Sequence, residues 1–154
     1  MSDIEVLSEH LQRMVENLSP AEIDKLKKRL AMKLRRSQSK RIGANQNPDG
    51  SSYAPRKPRT YRNGKPRKQV RSKMMKRIRL VANMWTEHTA DGFYIEPKNR
   101  VAGIAAVHHF GLSARIGGGK TVSHAQFPSR KLLGFSQEDR QMIQEELMDY
   151  IEKL

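Results

Sequence analysis

The chain has 154 residues, with 30 Lys and Arg against 16 Asp and Glu, for a formal net charge of +14. It has no cysteine, which excludes disulfides and cysteine-ligated metal. No apolar run approaches the roughly 20 residues needed to span a bilayer. The length fits one domain, residues 1–154, with a modest core; 36% hydrophobic against 30% charged content predicts that part of it is extended. The acidic start, Met1-Ser2-Asp3-Ile4-Glu5, lacks the apolar stretch of a signal peptide, so the expectation is a soluble chain made in cytoplasm.

The first element read from the periodicity is a short helix over 3–17, with Ile4, Leu7, Leu11, Met14 and Val15 at helical spacing. Ser19-Pro20-Ala21-Glu22 then starts a second helix. Ser19 caps it, Pro20 fits the first position and Glu22 completes a capping box. This helix runs to about Ile42 through Ile23, Leu26, Leu30, Met32 and Leu34, and the two helices are expected to form a hairpin. From Gly43 to Pro58 the chain is broken, with Asn47-Pro48-Asp49-Gly50 as a strong turn signal.

Between Lys25 and Trp85 lie 21 Lys and Arg against one acid, Asp49, for a net +20; the remaining residues carry 9 against 15, net −6, which together give +14. The densest stretch is Arg56 to Lys73. Its nine cations are Arg56, Lys57, Arg59, Arg62, Lys65, Arg67, Lys68, Arg71 and Lys73, broken by Pro58, Pro66 and Asn63-Gly64. This composition predicts a projecting basic arm over about 51–72, with Asn63-Gly64 at its tip. Such a segment needs an acidic counterpart, and two readings stay open from the residues alone. One is nucleic acid, with Tyr53 and Tyr61 available to stack on bases. The other is an acidic protein surface, or a solvated arm.

Beyond the arm, Met74 to Leu80 reads as a helical turn or short helix. Val81 to Trp85 and Phe93 to Glu96 read as two strands joined through Asp91-Gly92, with Trp85 as a core anchor. Arg100 to Phe110 reads as a helix stopped by Gly111. Leu112 to Pro128 reads as a loop with at most one strand and a flexible tip at Gly117-Gly118-Gly119. The last helix opens at Ser136, with Asp139 in the capping-box position and an apolar stripe of Met142, Ile143, Leu147, Tyr150 and Ile151. Met74, Met75, Met84, Met142 and Met148 read as core filler.

Candidate chemistry is thin. Gly117-Gly118-Gly119-Lys120-Thr121 lacks the earlier glycine of a phosphate-binding loop, since Ala114 stands there. Adjacent His108-His109 point about 100° apart on a helix and do not share a metal; one is expected to bond backbone at the helix end and the other to be exposed. Ser129 and Ser136 sit near bases and caps, not in a nucleophile elbow. No catalytic site, metal site or cofactor is assigned, and the expectation is that the chain is not an enzyme.

One set of residues carries a family resemblance. Gln46-Asn47-Pro48-Asp49-Gly50 and Tyr53-Ala54-Pro55 precede the basic stretch and Met74-Met75. Ala106-Val107-His108-His109-Phe110-Gly111 and Phe127-Pro128-Ser129-Arg130-Lys131-Leu132-Leu133-Gly134-Phe135-Ser136 follow. In this order they resemble the phage virion morphogenesis family, the S-type tail completion proteins of contractile-tailed phages and prophages, over about 5–152. The chain departs from the family's common pattern at Tyr53, where Trp is usual, and at His109, where Gln is usual.

The resemblance implies a structural protein of the virion, assembled in the bacterial host cytoplasm, that completes the tail and joins it to the head at the neck. The partners it implies are further copies in a ring, and tail tube, tail terminator or neck proteins; no membrane is involved. The nine arm cations are the expected contacts to these partners or to DNA in the neck channel, with a basic-arm nucleic-acid-binding protein as the alternative. The expected fold is α+β: an N-terminal helical hairpin and a C-terminal helix packed on a small antiparallel sheet, with a long basic loop.

Overall fold

The computed structural model describes residues 9, 12, 13, 16–58, 60, 63–65, 73–117 and 122–153, and its longest element is the helix α1, Pro20–Gly43. Ser19 caps α1 as the sequence predicts. Its side chain accepts from the Glu22 N–H at 3.3 Å, and the Ser19 N–H donates to the Glu22 carboxylate at 3.2 Å. A cap of this kind stabilises the helix by about 1 kcal/mol. The helix expected over 3–17 falls largely outside the described residues; residues 9, 12, 13 and 16 are helical. The expected helical hairpin therefore lies largely outside the described residues as well.

Four strands and two further helices follow. Strand β1, Met84–His88, pairs antiparallel with β2, Phe93–Pro97, with Trp85 opposite Glu96 and Glu87 opposite Tyr94. Helix α2 is Asn99–Phe110. Strands β3, Ser113–Ile116, and β4, Ser123–Gln126, form a second antiparallel hairpin, and α3, Gln137–Glu152, closes the described chain. The class is α+β as expected, but the described strands form two separate two-stranded sheets where one was anticipated. The second hairpin replaces the expected loop over 112–128. Its segments, Ser-Ala-Arg-Ile and Ser-His-Ala-Gln, have little apolar alternation because the hairpin is mostly exposed, so periodicity had nothing to register.

The core gathers Ile42 from α1, Tyr53, Met74, Met75, Ile78 and Met84 from the middle, Val101 and Ala105 from α2, and Leu132, with Ile95 packed against it. Complete burial of an aliphatic side chain such as Ile42 contributes about 1.5–3 kcal/mol. The three central methionines are core filler as expected, whereas Met148 is exposed, and so is Leu147 of the expected α3 stripe.

Trp85 requires a correction. Val81–Asn83 form a 3-10 turn, tied by Asn83 Nδ2 donating to the Arg77 carbonyl at 2.8 Å, so the strand begins at Met84. Side chains alternate from there. Met84 is 2% exposed and Trp85 49%, with Lys98 Nζ 5.9 Å from its ring centroid. Tyr53 requires another. It is buried, its hydroxyl donates to the Lys131 carbonyl at 3.2 Å, and burial pushes its pKa up to about 12. It is unavailable to stack on a nucleobase; Tyr61 lies outside the described residues.

The turn at 47–50 forms as predicted. The Gly50 N–H donates to the Asn47 carbonyl at 3.0 Å, and φ of 85° at Gly50 is a value glycine adopts without strain. Asn45, Asn47 and Tyr53 close this loop through backbone bonds, and Asn47 Oδ1 accepts from the Lys131 N–H at 2.9 Å.

The end of α2 is locked to the segment that follows β4. His109 Nδ1 accepts from the Leu132 N–H at 3.1 Å, and the Ser129 hydroxyl donates to the His109 carbonyl at 2.8 Å. His109 thus bonds backbone, as expected of one of the pair. His108 is not exposed as expected of the other: it is partly buried, edge-on to Phe127 at 5.2 Å and 3.3 Å from Arg130 Nη1. Arg130 is itself buried and donates to the Ala54 carbonyl at 2.8 Å and the Pro55 carbonyl at 3.1 Å, which fixes the root of the basic arm.

Two predictions follow from this corner. Gly111 ends α2 at φ 66°, and a Cβ there would lie 2.8 Å from the Ser129 backbone nitrogen. Gly111→Ala therefore loses at least about 1–2 kcal/mol from the left-handed backbone alone, measured as a lower urea midpoint. The second prediction concerns pH. Burial holds His108 below its ordinary 6.5, helped by Arg130 and Arg56; burial does the same to His109, helped by Lys131 and Arg41. As pH falls through 6.5 the unfolded chain takes up these protons before the folded one does, so stability present above 6.5 declines below it. The melting temperature should drop from about pH 7.5 to about pH 5.5, and His109→Asn, which keeps an acceptor but cannot titrate, should flatten that slope.

Candidate functional site

Arg56 and Lys73 stand at the two ends of the basic arm, and the fold brings both to one open cleft of about 930 Å³. Three further cations join them: Lys76 and Arg77 from the turn after Met75, and Arg100 from the first turn of α2. The floor is apolar. Met75, Ile78 and Val101 are its buried part, while Leu80 and Ile104 are 47% and 59% exposed on its sides. No Asp or Glu is among its lining residues.

The cations of the middle segment divide into two groups. Those on α1 are largely occupied within the subunit. Arg29 Nε lies 2.8 Å from Glu146, Lys33 pairs with the same carboxylate, and Lys27 donates to the Thr89 and Ala90 carbonyls at 2.8 and 2.7 Å. The bond from Lys33, with help from Arg29, holds the Glu146 carboxyl below its usual range. By contrast, among the described residues none of Arg56, Lys57, Lys65, Lys73, Lys76, Arg77 and Arg100 forms a salt bridge. Several like charges around one apolar hollow repel one another unless an anionic partner fills it.

The residues expected from sequence therefore fall in three places. Arg56 and Lys73 are in the cleft. Lys57 lines a second hollow of about 440 Å³ that shares Arg56, Met75 and His108 with the first, and Lys65 is exposed beside Asn63, whose Oδ1 accepts its N–H at 3.2 Å. Arg59, Arg62, Arg67, Lys68 and Arg71 lie outside the described residues.

Sequence reading missed Lys76, Arg77 and Arg100. A signal for Arg100 existed. Helix α2 starts Lys98-Asn99-Arg100 with no acid in its first turn and no side-chain cap, so its positive end faces more positive charge. A local choice that costs helix stability is a pointer to a site.

Among the described residues, no group of three or more His, Asp or Glu is placed to hold a metal ion, and no helix is long and apolar enough to cross a membrane. What the arrangement does offer is binding: apolar area ringed by cations matches a surface that is apolar and acidic together.

The comparisons with known proteins agree with the family resemblance. The tail completion protein S of Escherichia phage P2 is 34% identical over 157 residues, covering 99% of this chain and 100% of that protein. No solved structure matches. The sequence pattern of the phage virion morphogenesis family matches residues 2–152, nearly the whole chain, and the chain is therefore a member of that family.

Proposed function

We propose that this chain is a structural tail completion protein, acting at the neck of a contractile-tailed phage or prophage particle during assembly in the host cytoplasm. The full-length similarity to the phage P2 protein carries this reading. The geometry supports it: the cations at the arm's root, which form no salt bridge among the described residues, surround apolar surface, a combination suited to protein contact.

In this reading the chain makes no covalent change. It contributes a basic arm, with Arg56, Lys57, Arg59, Arg62, Lys65, Arg67, Lys68, Arg71 and Lys73 as its contacts, to acidic surfaces of further copies in a ring or of tail and neck proteins. The conformation at the arm's root is set by Arg130, which holds Ala54 and Pro55.

The test is replacement of Arg62, Lys65, Arg67 and Lys68 together by Ala. The arm is distant in sequence from every core residue except Tyr53, Met74, Met75 and Ile78, and none of the four substituted residues is among the described core residues, so circular dichroism and melting should stay those of the native chain. Extracts supplied with the variant should accumulate tails that fail to join heads. Normal yields of infectious particles with this variant would remove the arm from the mechanism.

A further inference from the structure

We propose that the cationic cleft receives α3 of a second copy of this chain, so that subunits join head to tail. This inference rests on the assembly role proposed above and names the surfaces that would perform it.

The cleft asks for an occupant that is apolar and acidic along one line. The exposed side of α3 has that form. Glu138, Glu145 and Glu152 recur at seven-residue intervals, so they lie on one stripe of the helix, with the 58%-exposed Met148 between the last two. Two such intervals span about 21 Å at 1.5 Å per residue. None of the three carboxylates forms a salt bridge among the described residues, whereas Glu146 and Asp149, on the flank turned to α1, do. The two surfaces are thus complementary in charge and in apolar content, and among the described residues neither forms a salt bridge.

Their placement excludes satisfaction within one chain. Lys27, Arg35 and Ser39 of α1 donate to carbonyls of Thr89, Met84 and Arg79. Arg29, Lys33 and Ser37 bond instead to Glu146 and Asp139 of α3. The two sets are offset by two residues, or about 200° around the helix. Helix α1 therefore stands between α3 and the segment that builds the cleft, and the two surfaces lie on opposite flanks of the subunit. A contact between different surfaces of identical subunits is heterologous: it closes into a ring or continues as a filament, according to the rotation at each step.

The experiment uses two charge-reversed chains. One carries Glu138→Lys, Glu145→Lys and Glu152→Lys; the other carries Lys76→Glu, Arg77→Glu and Arg100→Glu. All six positions are exposed, and circular dichroism checks that both chains fold. Light scattering at low salt should find native protein at a multiple of the 17.7 kDa chain mass and each variant alone at one chain. Mixed in equal amounts, the variants should recover the assembled mass, because each reversed cleft then meets a reversed α3 and each native cleft a native one. Native-sized assemblies from either variant alone, or no recovery on mixing, would overturn the inference. Neither result touches the tail reading, which is scored separately by whether the native chain completes tails in extracts.

Discussion

A buried polar knot at the C-terminal half of α1 determines how the rest of the molecule is arranged. Arg41 is buried, and its guanidinium donates to the carbonyls of Gln46 at 3.1 Å and Leu132 at 3.0 Å, and to the Gln38 side chain. Gln38 in turn donates to the Gly134 carbonyl at 2.9 Å and to Asp139 at 3.1 Å, and Ser37 bonds the same carboxylate. Asp139 also accepts the Ser136 N–H at 3.0 Å, so one buried carboxylate completes the cap of α3 and anchors that helix to α1. A buried charge left without partners is strongly destabilising, so each member of this chain of bonds requires the others. The knot joins α1, the loop after it, the 130–136 segment and α3 at one point.

From that point the charge distribution acquires a geometry. The cations of α1 that face α3 meet Glu146 and Asp149, and the cations at the base of the arm meet no described acid. The pairs on α1 are half exposed, and each is worth about 0–1 kcal/mol. They help to hold a helix in place and do little to neutralise the chain. The surplus remains on the opposite flank, around apolar side chains that the subunit leaves uncovered.

Local devices were legible in the sequence because they depend on a few adjacent residues. Ser19 and Glu22, Ser136 and Asp139, the Asn47–Gly50 turn and Gly111 all stand as their chemistry requires. Two of the readings that failed concern which way a side chain faces. Trp85 was taken for a core residue because it is large and apolar. A 3-10 turn at Val81–Asn83, held by Asn83, precedes the strand, and alternation within the strand turns Met84 inward and Trp85 outward. Tyr53 was counted among residues able to stack on bases because basic residues surround it in sequence, yet its ring fills the core beside Leu132.

The candidate site divides along the same line. Composition by itself established the segregated charge, the absence of cysteine, the helix starts and stops, and the motif order that marks the family. Those properties belong to the chain as a string, and short-range sterics or simple counting determine them. Only the tertiary structure decided that Arg56 and Lys73 meet Lys76, Arg77 and Arg100 around an apolar floor, and that α3 lies on the other flank of α1. These residues come from three separate stretches of chain, and their meeting depends on how buried area and polar satisfaction are reconciled across the whole fold, which no local pattern encodes.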